Sequence, residues 1–147
     1  MSRFDELVTT VEAYQMRADE NYQRIRRLAE DLKDGLCQFM GAKDGVCVHL
    51  VPPVGPFKPM TDLTKAFSIP PRGFRPLGPV MFGLAVRVSR GTDWIRLTMS
   101  CHKLGDKFTV HIDAGPSYTF KLPLAENDPE EFYQLLFEHI RAQFTEA

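Results

Sequence analysis

VMFGLAVRVSRGTDWIRLTMSCHKLGDKFTVHIDAGPSYTFKL, residues 80–122, decides the fold. Apolar and polar side chains alternate through it with the two-residue period of half-buried strands. Over 80–89, Phe82, Leu84, Val86 and Val88 share one face and Arg87 lies on the other. After a turn at Gly91 and Thr92, Ile95, Leu97, Met99 and Cys101 point inward, and Trp94, Arg96, Thr98, Ser100 and His102 outward. Gly105 and Asp106 turn into Phe108, Val110 and Ile112, opposed by Lys107, Thr109 and His111. Gly115 and Pro116 lead to Tyr118, Phe120 and Leu122, opposed by Thr119 and Lys121. Links this short join antiparallel neighbours, so the stretch predicts a β-meander with one apolar and one polar face. A short apolar strand over 46–51 precedes it. The sheet region 46–122 then holds four to five strands.

Helices flank the sheet on both sides. Residues 2–40 predict one long helix, with Ser2 as cap, Asp5 and Glu6 at the positive dipole end, and Gly35 or Gly41 as the stop. Residues 128–145 predict another, with Asp128 as N-cap, Pro129 first inside and Glu131 three after the cap. Its apolar face holds Phe132, Leu135, Leu136, Ile140 and Phe144, widened by Tyr133 and Phe137. That face is expected against Phe82, Leu84, Ile95, Leu97, Phe108 and Val110 of the sheet. The fold class is α+β, a single two-layer domain over 1–147: long N-terminal helix, antiparallel β-meander, C-terminal helix packed on the sheet.

The first helix carries a seven-residue repeat. Phe4, Val11, Ala18, Ile25, Leu32 and Phe39 form one series; Leu7, Tyr14, Asn21, Leu28 and Gly35 form another, offset by three. This is an a/d pattern with Asn21 as a polar member able to fix register. At about 1.5 Å per residue the helix exceeds 50 Å, longer than a small domain is wide. It must overhang the domain, bend, break near Gly35 or pack on another subunit. The expectation is a homo-oligomer, a dimer first, joined through Phe4, Leu7, Val11, Tyr14, Ala18, Asn21, Ile25, Leu28 and Leu32. A plain amphipathic helix on the sheet, widened by Val8, Tyr22, Ala29 and Leu36, is the alternative.

Between the first strand and the meander, residues 52–79 hold 8 of the chain's 11 prolines. They predict two Pro-rich loops, 52–60 and 70–79, with room for a short edge strand over 61–69. Two pentads there put an aromatic beside a cation on a stiffened loop: Gly55-Pro56-Phe57-Lys58-Pro59 and Arg72-Gly73-Phe74-Arg75-Pro76.

The 147 residues are 44% hydrophobic and 25% charged, which suits a folded globular protein and argues against disorder. No apolar run reaches the roughly 18 residues of a membrane span, and the N-terminus has no apolar leader. Three cysteines, an odd number, point to a reducing compartment, hence a cytoplasmic protein. The net charge of −1 conceals segments of −2 over 1–40, +6 over 41–122 and −5 over 123–147. A local positive field attracts polyanions even on a near-neutral molecule.

Catalytic and metal patterns are missing. Cys101 and His102 alternate across a strand and cannot share an ion, while Cys37 and Cys47, ten apart, belong to no Cys-x-x-Cys pair. Cys101 falls on the apolar face, where cysteine is an inert hydrophobe. No nucleophile elbow or glycine-rich phosphate loop occurs. Asp93, Asp106 and Asp113 sit in turns, the usual place of structural aspartates. The expectation is no metal, no cofactor, no catalytic residue and no membrane: a non-enzymatic interaction module. It would oligomerise through the first helix and bind a protein partner through sheet face or loops. The contact residues would be Phe57, Lys58, Arg72, Phe74, Arg75, Arg87, Trp94, Arg96 and Lys107, the mix of aromatics and arginines found at interface hot spots. Single-stranded nucleic acid or another polyanion on the basic middle segment is the alternative, ranked second because the whole chain is near neutral.

Overall fold

A computed structural model describes residues 2–43, 46–58, 66–68, 75, 77–121 and 128–145. In chain order these form α1 (Arg3–Met40), β1 (Val48–Val51), β2 (Val80–Arg87), β3 (Trp94–Leu104), β4 (Lys107–Ile112), β5 (Ser117–Lys121) and α2 (Asp128–Thr145). The strands pair in sequence order, all antiparallel. The meander and its two flanking helices are as the alternation and capping patterns require.

The register aligns the inward residues in rungs. Leu50, Leu84 and Leu97 lie across β1, β2 and β3; Phe82, Met99 and Ile112 cross β2, β3 and β4. All six are nearly inaccessible to solvent. Both helices cover this face. The C-terminal half of α1 lies on β1 and β2, and α2 lies beside it over the β5 edge, where Phe132 meets Phe120 with ring centroids 5.2 Å apart. α1 shares this layer with α2, because its apolar stripe, widened by Tyr22, Ala29 and Leu36, is broad enough to lie on the sheet. Leu136 and Ile140 are buried as expected, but Phe144 is 63% exposed, beyond the reach of the sheet. The side chain of Asp128, the expected cap, lies outside the described residues.

α1 runs unbroken for 38 residues. Ser2 caps it through a reciprocal pair with Asp5, and Gly41 ends it in the left-handed conformation at φ 70°. Gly35 does not stop the helix. A Cβ there would fall 1.9 Å from the Tyr133 hydroxyl, so the missing side chain lets α2 approach α1 closely. Val46 and Val88 lie outside the strands and are exposed, since β1 begins at Val48 and β2 ends at Arg87. Of the expected edge strand over 61–69, Phe67 makes a single antiparallel bridge to Phe82; residues 61–65 and 69 lie outside the described residues.

Cys37 at the end of α1 and Cys47 before β1 form a disulfide, with Cα atoms 5.5 Å apart. The absence of a Cys-x-x-Cys spacing hid this pair, because a helix end and a following strand bring positions ten apart together. The bond removes the ground for reading a reducing compartment from unpaired cysteines. Only Cys101 is free, and it is buried. Among the described residues no helix is long and apolar enough to cross a membrane.

Candidate functional site

The face of the sheet turned away from the helices carries the polar half of each alternation. None of the five strands contains an Asp or a Glu, whereas Arg87, Arg96, Lys107 and Lys121 all belong to the outward set, together with His49, His102 and His111. At one end Arg87 lies across from Trp94, whose ring packs on His49 at 5.3 Å. Burial, and then the positive charge of Lys33, hold the His49 pKa below its usual value. A neutral imidazole at pH 7 follows. At the other end Lys107 stands directly opposite Lys121, followed by Thr109 opposite Thr119 and His111 opposite Ser117. The last pair share a hydrogen bond at 2.5 Å between Nδ1 and Oγ.

The first Pro-rich loop crosses this face. It leaves β1 at Val51 and passes over Gly83, where a Cβ would lie 2.9 Å from both the Val51 and Pro52 carbonyl oxygens. Arg96 Nη1 donates to the carbonyls of Pro52 (3.2 Å) and Gly55 (2.6 Å), and Thr98 Oγ1 donates to that of Pro53 (2.9 Å). The Arg96 guanidinium also lies over the Phe57 ring, 4.9 Å from its centroid. Between loop and sheet opens a cavity of about 640 Å³, lined by Pro53, Val54, Gly55, Met81, Arg96, Thr98, Ser100 and His111 and closed at its far side by Asp113 and Ala114.

The expected contact residues therefore divide. Arg87, Trp94, Arg96 and Lys107 belong to this face and Phe57 packs on Arg96 above it, while Lys58 is the exposed next residue of the loop. Arg75 does not belong with them. It is 8% exposed, its guanidinium stands 4.2 Å over the Tyr22 ring and 3.1 Å from Asp19, and its backbone pairs with the Gln15 amide. Arg75 pins the second loop to α1, so its removal would cost stability rather than only affinity. Arg72 and Phe74 lie outside the described residues. His49 and Lys121 complete the face but were not among the expected contacts. The signal for both was present, since each is the polar member of an alternating strand.

The seven-residue series of α1 divides in the same way. Ala18, Asn21, Ile25, Leu28 and Leu32 are buried in the chain's own core, so they are closed to a partner helix. Tyr14 is half-buried, its hydroxyl accepting from the Leu77 N–H at 2.5 Å. Before it the helix projects, with Val11 half-buried, Leu7 60% exposed and Phe4 71% exposed.

Burial pushes the Cys101 thiol up to about 12, which keeps it protonated and unreactive at neutral pH. Among the described residues no three His, Cys, Asp or Glu side chains converge as a metal site would require. Comparison with family models, with curated proteins and with solved structures finds no match.

Proposed function

We propose that this chain is a non-enzymatic interaction module that self-associates through the projecting half of α1 and presents the open face of its sheet to a partner. The observation that carries the reading is the break in burial along one apolar stripe. Phe4 and Leu7, with the half-buried Val11, continue the stripe of Ala18, Ile25 and Leu32 at heptad spacing, yet Phe4 and Leu7 are exposed. Large apolar side chains in helical register that stay exposed among the described residues suit a helix-on-helix contact. A second copy brings the same stripe, so a two-fold pair would be self-complementary. Arg3 and Arg17 occupy the flanking g positions beside Phe4 and Ala18. An antiparallel pair would set those arginines against each other across the seam, while a parallel pair separates them.

The test is the oligomeric state. Sedimentation equilibrium at micromolar concentrations should give a dimer for the natural sequence and a monomer for Phe4→Glu/Leu7→Glu. The melting temperature of the monomeric variant at high dilution should match that of the natural chain, because both positions are exposed within one copy. A natural chain that stays monomeric throughout that range overturns the reading.

A further inference from the structure

We propose that the open face of the sheet is a track for single-stranded nucleic acid, with phosphates held by Arg96, Lys107 and Lys121 and bases stacked at the Trp94 end. The inference rests on the reading of this face as the partner-binding surface and names the class of partner.

Charge is the first ground. A solvent-facing sheet ordinarily intersperses both signs, but no strand here contains an acidic residue. Among the described residues no carboxylate lies within salt-bridge distance of Arg96, Lys107 or Lys121. Lys107 and Lys121 are moreover direct cross-strand partners. Like charges placed so are mutually repulsive, and an anion between them relieves the repulsion. Among the described residues the acids lie in turns and on the helices, so the near-neutral total does not describe this face.

Aromatic rings are the second ground, and they separate nucleic acid from an acidic polypeptide. Trp94 packs with the neutral His49, and Phe57 is held in place by Arg96. Rings beside cations serve base stacking and phosphate contact together. From Trp94 to His102 the strand covers about 26 Å, a length fitting the four or more nucleotides of a small single-strand site. The cavity of about 640 Å³ lies part-way along, its floor formed by Thr98, Ser100 and His111, with Asp113 at the far rim. Hydroxyls and an imidazole offer donors and acceptors to a base edge without demanding one sequence.

Fluorescence anisotropy with a labelled oligothymidylate tests this. Binding is expected at low salt, with a log–log salt slope near −2 for about three phosphates, or roughly a 20-fold loss for a fourfold rise in salt. Lys107→Gln/Lys121→Gln should bring the slope to about −0.7, and Lys107→Glu/Lys121→Glu should abolish binding; melting curves confirm that each is folded. Arg27→Glu/Arg141→Glu, on the helical side, should leave affinity unchanged. No binding at low salt, equal losses in the two charge-reversed proteins, or equally tight competition by polyglutamate would each overturn the proposal, the last in favour of an acidic protein segment. Sedimentation on the same samples reports the helix contact separately. A natural chain that stays monomeric yet binds the oligonucleotide, or a dimer that does not bind it, shows which of the two readings fails.

Discussion

Gly83→Ala places one methyl group where the loop over the sheet leaves no room for it. The new Cβ would stand 2.9 Å from two backbone oxygens, of Val51 and Pro52, and 3.1 Å from Arg96 Cδ. Backbone oxygens at a strand end cannot swing aside as a side-chain tip can, so the loop must lift. Lifting strains three hydrogen bonds, two from Arg96 and one from Thr98. Overpacking of this kind costs about 1–3 kcal/mol, and each bond lost at a half-buried site adds about 1 kcal/mol. Against this, replacing a strand glycine gains about 0.5–1 kcal/mol from the unfolded state. The expected net destabilisation is about 2–3 kcal/mol, measured by the urea midpoint at unchanged slope. The same substitution in an Arg96→Ala/Thr98→Ala background should cost at least about 1 kcal/mol less, because an untied loop moves away freely. An unmoved midpoint, or full additivity of the three changes, would refute the account of the loop as a strap drawn tightly over Gly83.

Leu136→Ala, at a fully buried position on α2, should cost about 2–5 kcal/mol in denaturant, whereas Phe144→Ala should cost well under 1 kcal/mol; the reverse order would misplace the docked face of the helix. Reducing the Cys37–Cys47 bond reopens a loop of ten-residue separation and should lower stability by about 2–3 kcal/mol. Thiol titration of the unfolded, unreduced protein should find one free cysteine, and finding three would exclude the bond.

Periodicity made the architecture readable. Alternation through residues 80–121 placed the inward side chains within the strands from Phe82 to Phe120, missing only at Val88 beyond the end of β2, because a strand with one covered face has only one workable register. Helical spacing in α1 was equally legible but ambiguous in use. The same stripe serves a core or a partner, and only the position of the sheet edge shows that Ala18 onward is core while Phe4 and Leu7 are not. Arg75 departs from its sequence reading for a related reason. Beside Phe74 and Pro76 it reads as a solvated loop cation, and nothing local announces the Tyr22 ring 53 positions earlier that it covers. Cys37 and Cys47 likewise meet through tertiary geometry, which sequence spacing does not encode. The cations of the open face were visible singly, as polar members of alternating strands. Their gathering without acids became clear once strand order set Lys107 beside Lys121 and the Arg87–Trp94 rung at the other end.

The projecting turns of α1 also escape a difficulty that short helices face in water. Alone, residues 3–13 would melt, since starting a helix fixes several residues for a single bond and segments under about a dozen residues rarely hold. Here they are the continuation of a helix already nucleated by its docked half, so each added residue meets only the mild cost of propagation. The reciprocal Ser2–Asp5 pair closes the far end, where fraying would begin. A helix that needs no folding upon encounter would lose little backbone freedom in the proposed contact with a second copy. The docked half therefore does double duty: it seals the core, and it acts as the template that keeps the free end in shape.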